Sequence, residues 1–210
     1  MYPTKRSIMA VAVVLLMCIY FSVPKTLAQT ASLNVETPSE TINIDEELTV
    51  NITISDMPSP GVIGYELELH FDTTYLEAVS AGMPSGHFLE PENPTKIFIV
   101  RAGDINNTEG IVEFAAQLLP PEFPPGKTGS GIIGTVTFRG KAEGLASVTI
   151  QDVILVDPDA NPIPEANYDI NDGEITVIPE FSAVAMMLLL LAATSVVLFL
   201  KKKAPLVTKM

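Results

Sequence analysis

Gly64-Tyr65-Glu66-Leu67-Glu68-Leu69-His70-Phe71 is the stretch that decides the fold. Tyr65, Leu67, Leu69 and Phe71 alternate with Glu66, Glu68 and His70, and a period of two puts the apolar set on one face of a β-strand and the polar set on the other. A helix would scatter both sets around its circumference. The stretch therefore reads as a strand packed on one side and open on the other.

The same pattern extends in both directions. In Ile111 to Leu118 the inward set is Val112, Phe114, Ala116 and Leu118, and the outward set is Glu113, Ala115 and Gln117. Nine such runs, rich in β-branched and aromatic residues, are expected at 32–37, 47–55, 62–71, 75–80, 96–101, 111–119, 132–139, 145–156 and 173–178, separated by Gly, Pro, Asn and Asp clusters. No window of 11 residues in this part of the chain carries a sustained helical stripe, and 14 positions between 29 and 180 are proline. About 150 residues suffice to bury roughly 68–70% of the extended chain's surface, so one all-β sandwich with a single core is expected. Ile97-Phe98-Ile99-Val100 breaks the alternation by being apolar on both faces. That fits a central strand or one carrying an exposed apolar patch, which would be a binding surface by default unless a loop covers it.

Charge and apolarity are segregated along the chain. The 210 residues hold 12 Lys and Arg against 25 Asp and Glu, a net charge of −13, yet the mean hydropathy is +0.34. Every acid lies between Glu36 and Glu180, and only Lys96, Arg101, Lys127, Arg139 and Lys141 are basic there, so residues 29–180 carry 5 − 25 = −20. Nucleic acid is excluded as a partner, because a domain of that charge repels phosphate.

Two apolar blocks frame the acidic segment. Lys5 and Arg6 precede an uncharged run from Ser7 to Pro24, and Thr26-Leu27-Ala28 places small residues at the −3 and −1 positions of a cut after Ala28. That is the layout of a secretory signal peptide over 1–28, with an uncleaved anchor as the alternative. Cys18, the only cysteine, falls inside it, so the processed chain has none to form a disulfide. Phe181 to Leu200 is free of charge and is followed by Lys201-Lys202-Lys203. At about 1.5 Å per residue it covers the roughly 30 Å hydrocarbon core, and the lysines mark its cytoplasmic end. The expected organisation is a signal peptide (1–28), an extracellular β-sandwich (29–178), a short motif and transmembrane helix (179–200) and a cytoplasmic basic tail (201–210), giving a single-pass protein of the cell surface.

Catalytic signatures are missing. Outside Cys18 there is no cysteine, and His70 and His87 are the only histidines. Gly82-Met83-Pro84-Ser85-Gly86 lacks nucleophile-elbow spacing, and there is no phosphate loop, dinucleotide fingerprint or zinc spacing. A paired-carboxylate glycosidase remains open because such pairing is spatial, but without Trp the chain lacks the usual sugar-stacking platform. A non-enzyme is expected, with no cofactor. Asp157-x-Asp159-x-Asn161 has the first three ligand positions of a calcium loop. Pro162 replaces the required glycine and Tyr168 the bidentate acid, so it is not an EF-hand. The same residues suit a type I turn, with calcium at Asp157, Asp159 and Asn161 as the alternative. Asn51-Ile52-Thr53 and Asn106-Asn107-Thr108 are glycosylation acceptors for an exported chain, Asn106 in a polar turn and Asn51 within a strand.

The order of runs resembles cohesin domains. Val62-Ile63-Gly64-Tyr65 through Phe71-Asp72-Thr73-Thr74-Tyr75-Leu76-Glu77 is similar to that family's third and fourth strands, Gly131 to Phe138 to its seventh, and Asp157 to Pro164 with Asp172 to Val177 to its closing loop and ninth strand. The resemblance spans nearly all of 32–178 and implies a nine-stranded jelly-roll sandwich that binds dockerin modules. It implies a partner on the sheet of strands eight, three, six and five. The outward residues there are Glu66, Glu68 and His70, Arg101, Glu113 and Gln117, and Thr149 and Gln151. Such an acidic face would suit a basic partner, although each residue alone also reads as the solvated side of an amphipathic sheet. The calcium-loop departures mean that the chain is not itself a dockerin. Related carbohydrate-binding or fibronectin-like sandwiches stay open, so the alternatives are a carbohydrate-binding module of the cell envelope, taking a surface polysaccharide, and a structural surface-layer component.

Pro179-Glu180-Phe181, the apolar span and the lysines together resemble the C-terminal sorting signals of archaeal surface proteins. That implies an archaeosortase substrate, cut near the motif by a membrane transpeptidase. Pro121-Glu122-Phe123 repeats the tripeptide with no span after it, so only the tripartite order carries weight. A permanent anchor, with Pro179 ending the last strand, is the other reading.

Overall fold

The computed structural model describes residues 30–91, 96–120, 125–180, 187–188 and 190–196. Eleven strands form among them: β1 (Ala31–Glu36), β2 (Thr41–Asn43), β3 (Glu47–Val62), β4 (Gly64–Phe71), β5 (Leu76–Gly82), β6 (Ile97–Asn106), β7 (Ile111–Leu118), β8 (Lys127–Gly140), β9 (Gly144–Val156), β10 (Tyr168–Asn171) and β11 (Gly173–Ile178). They build one sheet of order β10-β1-β3-β8-β5 and a second of order β2-β11-β9-β4-β7-β6.

All nine expected runs are strands, and the expected count of nine is corrected to eleven. The additions, β2 and β10, pair in parallel with β11 and β1. Three and four residues are too few to show alternation, so tertiary pairing and not local pattern makes them strands. Several strands also outrun their expected ends. β6 reaches Asn106, which closes the strand and does not sit in the turn beyond it.

Alternation is what joins the sheets. Tyr65, Leu67, Leu69 and Phe71 of β4, with Val112, Phe114, Ala116 and Leu118 of β7, are buried against Val50, Ile52 and Ile54 of β3 and Val136 and Phe138 of β8. The Phe71 and Phe138 rings meet between sheets at 5.0 Å and 59°, a tilted aromatic pair. The Tyr65 hydroxyl donates to the Ile133 carbonyl at 3.4 Å, also from one sheet to the other. Burial pushes that phenol's pKa up.

Between β5 and β6 the chain is stitched to β8. The Phe88 amide donates to the Ile132 carbonyl at 2.6 Å, the Lys127 ammonium to the Glu90 carbonyl at 3.0 Å, and Leu89 enters the core. His87 is carried inward with them, 9% exposed, and its Nδ1 has no hydrogen-bond partner among the described residues.

Residues 187–188 and 190–196 are helical and exposed. Among the described residues no helix is long and apolar enough to cross a membrane. The signal peptide with Cys18, Phe181, the tail 201–210, and positions 181–186, 189 and 197–200 of the expected transmembrane helix lie outside the described residues.

Two predictions follow from the packing. A Cβ on Gly134 would collide with the Phe114 ring, so Gly134→Ala should cost about 1–3 kcal/mol by overpacking. Urea unfolding of the full-length chain measures it, and an unshifted midpoint would refute the tight contact. Burial depresses the His87 pKa, with Lys127 adding to the effect and Glu90 opposing it. The unfolded chain then takes up the proton first as pH falls through about 6.5. Stability conferred by neutral His87 is present above that pH and is lost below it. The gap in urea midpoint between wild type and His87→Gln should therefore narrow from pH 7.5 to pH 5, and a constant gap would exclude the effect.

Candidate functional site

The six-stranded sheet places four of its strands, β9-β4-β7-β6, side by side, and their registers line up outward residues in rows. Glu66 stands opposite Ala115 on β7 and Ile154 on β9; Glu68 opposite Glu113 and Gln151; His70 opposite Ile111 and Thr149. On the far side of β7, Phe98 faces Gln117, Arg101 faces Ala115 and Asp104 faces Glu113. All eight residues expected from the sequence, Glu66, Glu68, His70, Arg101, Glu113, Gln117, Thr149 and Gln151, thus share one outer face.

The face is acidic with an apolar margin. Glu66, Glu68, Asp104, Glu113 and Asp152 are set against the single guanidinium of Arg101. Arg101 lies 3.4 Å from Asp104 and 3.3 Å from Glu113, both contacts half-exposed and so weakly stabilising. The His70 Nε2 and the Glu68 carboxylate are 2.7 Å apart. The Gln151 amide donates to the Thr149 hydroxyl at 3.0 Å. Phe98 is 58% exposed and Val100 54%, and Ile154 on the opposite margin is 47% exposed. The both-faces-apolar run 97–100 belongs to an edge strand carrying an exposed patch, not to a central strand.

Phe98 was foreshadowed by that run; Asp104, Asp152 and Ile154 were not. β6 continues past its expected end because Gly103, at φ 110°, bulges against Ala81 where a Cβ would not fit. A bulge in β9 does the rest. Between the pairs Glu66 to Ile154 and Glu68 to Gln151, β9 spends two residues where β4 spends one. Asp152, at φ 48°, is the extra residue, and beyond it the alternation inverts so that Ile154 points outward. Two consecutive polar residues, Gln151-Asp152, inside an alternating strand were the available signal.

The other expected sites lie elsewhere. Asp157, Asp159 and Asn161 form one turn after β9, in which the Asp157 carboxylate accepts the amides of Asp159 and Asn161, both at 2.9 Å. Its oxygen is engaged in holding the turn. Asn51 faces outward, half-buried, on β3 of the opposite sheet. Asn106 is exposed, but its side chain accepts the Thr108 and Glu109 amides and donates to Glu109 at 2.8 Å. Pro179 and Glu180 are exposed just beyond β11. Among the described residues neither histidine is hydrogen-bonded to a hydroxyl.

The molecule is a two-sheet sandwich with a polar outer face bounded by apolar margins. The Cohesin domain profile matches residues 31–177, and the chain belongs to that family. No curated protein matches the sequence. Solved structures share the fold. A type II cohesin domain from the cellulosome of Acetivibrio cellulolyticus is 19% identical, with 70% of this chain and 95% of that chain covered and a TM-score of 0.57. The non-cellulosomal cohesin of the hyperthermophilic archaeon Archaeoglobus fulgidus is 14% identical, covering 74% and 96%, at 0.54. A type I cohesin–dockerin complex from Clostridium thermocellum contains a match of 11% identity, covering 71% and 100%, at 0.54.

Because Arg101 is shared by Asp104 and Glu113, its removal leaves that end of the face without a cation. Arg101→Ala should leave the unfolding free energy measured by urea titration within about 0.5 kcal/mol of wild type, and a loss of several kcal/mol would show that the pair is structural.

Proposed function

We propose that this chain is a non-catalytic protein-binding module that takes a dockerin-like partner on the outer face of β9-β4-β7-β6. The observation that carries the reading is the family match over 31–177 combined with a face whose carboxylates outnumber its cations. A partner bearing Lys or Arg beside apolar side chains would meet Glu66 and Glu68 between the Phe98 and Ile154 margins. Long-range attraction would speed its approach at low salt. The apolar margins would exclude water around the charged centre. In this reading the signal peptide exports the module and the C-terminal span holds it at the cell surface, as a lasting anchor or as the substrate of a sorting transpeptidase acting near Pro179-Glu180-Phe181. C-terminal mass spectrometry of the native protein separates those two outcomes.

The test is surface plasmon resonance of the full-length protein in detergent against dockerin modules encoded in the same genome. Binding should weaken at least tenfold in the Glu66→Lys/Glu68→Lys double variant, chiefly through slower association that high salt also imposes. Equal binding by the double variant would refute the face. Clear hits on a glycan array without any protein partner would replace the reading with a carbohydrate-binding one.

A further inference from the structure

We propose that Glu68, His70 and Asp152 form a binding site for one divalent first-row transition cation of the zinc class. The three residues each present a ligand atom, an imidazole nitrogen and two carboxylate oxygens, and those atoms all lie within 4.8 Å of one another. Donors around a single zinc at about 2.0–2.2 Å stand roughly 3.4 Å apart in tetrahedral geometry. Small side-chain rotations therefore close the set without moving the backbone.

Rigid elements hold the donors. Glu68 and His70 are successive outward positions on β4, which is hydrogen-bonded on both sides, and their side chains are 28% and 29% exposed. Asp152 comes from the β9 bulge, directly beside the Glu68 to Gln151 pair. A strand in plain alternation would have turned that residue inward.

The charge balance points the same way independently of the spacing. The row across the sheet carries Asp104, Glu113 and Glu68 in register, with Asp152 in the bulge next to Gln151 at its end, and like charges facing one another across strands destabilise a sheet. Arg101 reaches Asp104 and Glu113. Among the described residues no lysine or arginine is paired with Glu68 or Asp152, and the nearest basic group to Glu68 is the His70 imidazole at 2.7 Å. A dication in contact with both carboxylates neutralises that half of the row.

The imidazole selects the ion. Calcium and magnesium take oxygen ligands, whereas an imidazole joined to carboxylates suits zinc and its neighbours. Three protein donors leave a fourth position facing outward, open to water or to a side chain of a docked partner. The site stands on this chain's own residues and does not depend on the docking reading.

Isothermal titration of the metal-free full-length protein with zinc chloride tests it, with calcium chloride as the comparison and cobalt(II) absorption as a second readout. One zinc per chain should bind, calcium should bind far more weakly, and cobalt should give a ligand-field spectrum. His70→Gln and Asp152→Asn should each weaken zinc at least tenfold while unfolding at the wild-type midpoint without metal. Zinc binding equal in wild type and both variants, calcium binding as tight as zinc, or no zinc binding would each overturn the proposal. Dockerin binding measured in calcium-containing buffer without added zinc reports on the docking face separately.

Discussion

The two-sided hydrogen bonding of β4 is the constraint on which the rest of the molecule depends. β4 pairs antiparallel with β7 along its whole length and with β9 on its other edge. Because the side-chain period is two, those ladders decide at once which residues of three strands enter the core and which meet solvent. Leu67 and Leu69 are fully buried because Phe114 and Val112 lie opposite them and are buried too. Glu66, Glu68 and His70 are held outward by the same bonds. A slip of β4 by one residue would drive Glu66, Glu68 and His70 into the core and expose Leu67 and Leu69, so the packing of the interior and the composition of the outer face are a single fact.

Legibility in the sequence follows from this. Where a strand alternates over six or more residues, as in 64–71 and 111–118, both its existence and its outward set can be read from the residues alone. Glu66, Glu68, His70, Glu113 and Gln117 are legible that way, whereas Arg101, Thr149 and Gln151, and the grouping of all eight, rest on the family resemblance; all eight lie on one sheet face. Periodicity fails where the backbone departs from two residues per repeat. Asp152 and Gly103 are such places, and each shifts or extends the outward set by positions that a period of two does not encode. β2 and β10 fail for a different reason: they are strands only because β11 and β1 offer them an edge.

Charge is also redistributed on passing from composition to structure. The chain average of −13 hides a segment 29–180 at −20, and even that figure hides an uneven surface. On the five-stranded sheet Arg139 of β8 stands between Glu47 of β3, at 2.6 Å, and Glu77 of β5, at 3.7 Å, which raises the guanidinium's already high pKa and neutralises the carboxylates locally. Across β9-β4 no such bridge forms among the described residues. The unneutralised charge is concentrated where β-bulges and register have placed it.

The two outer faces therefore differ in what they can offer a ligand. On the five-stranded sheet polar side chains satisfy one another: Asn34 donates to Ser55 at 3.2 Å, Asn171 to Asn34 at 2.7 Å, Thr53 to Glu36 at 3.0 Å, and the Thr49 and Thr137 hydroxyls pair at 2.9 Å. A partner docking there would have to break those bonds to make its own, with little net gain. On β9-β4-β7-β6 the exposed carboxylates of Glu66 and Asp152 are bonded to no other described side chain, and Phe98 and Ile154 leave apolar surface in water. Cationic contacts there replace only hydration, and burying the two apolar margins adds a favourable term that the other face lacks. The two sides of the sandwich therefore differ in what a ligand would have to displace, before any partner is specified.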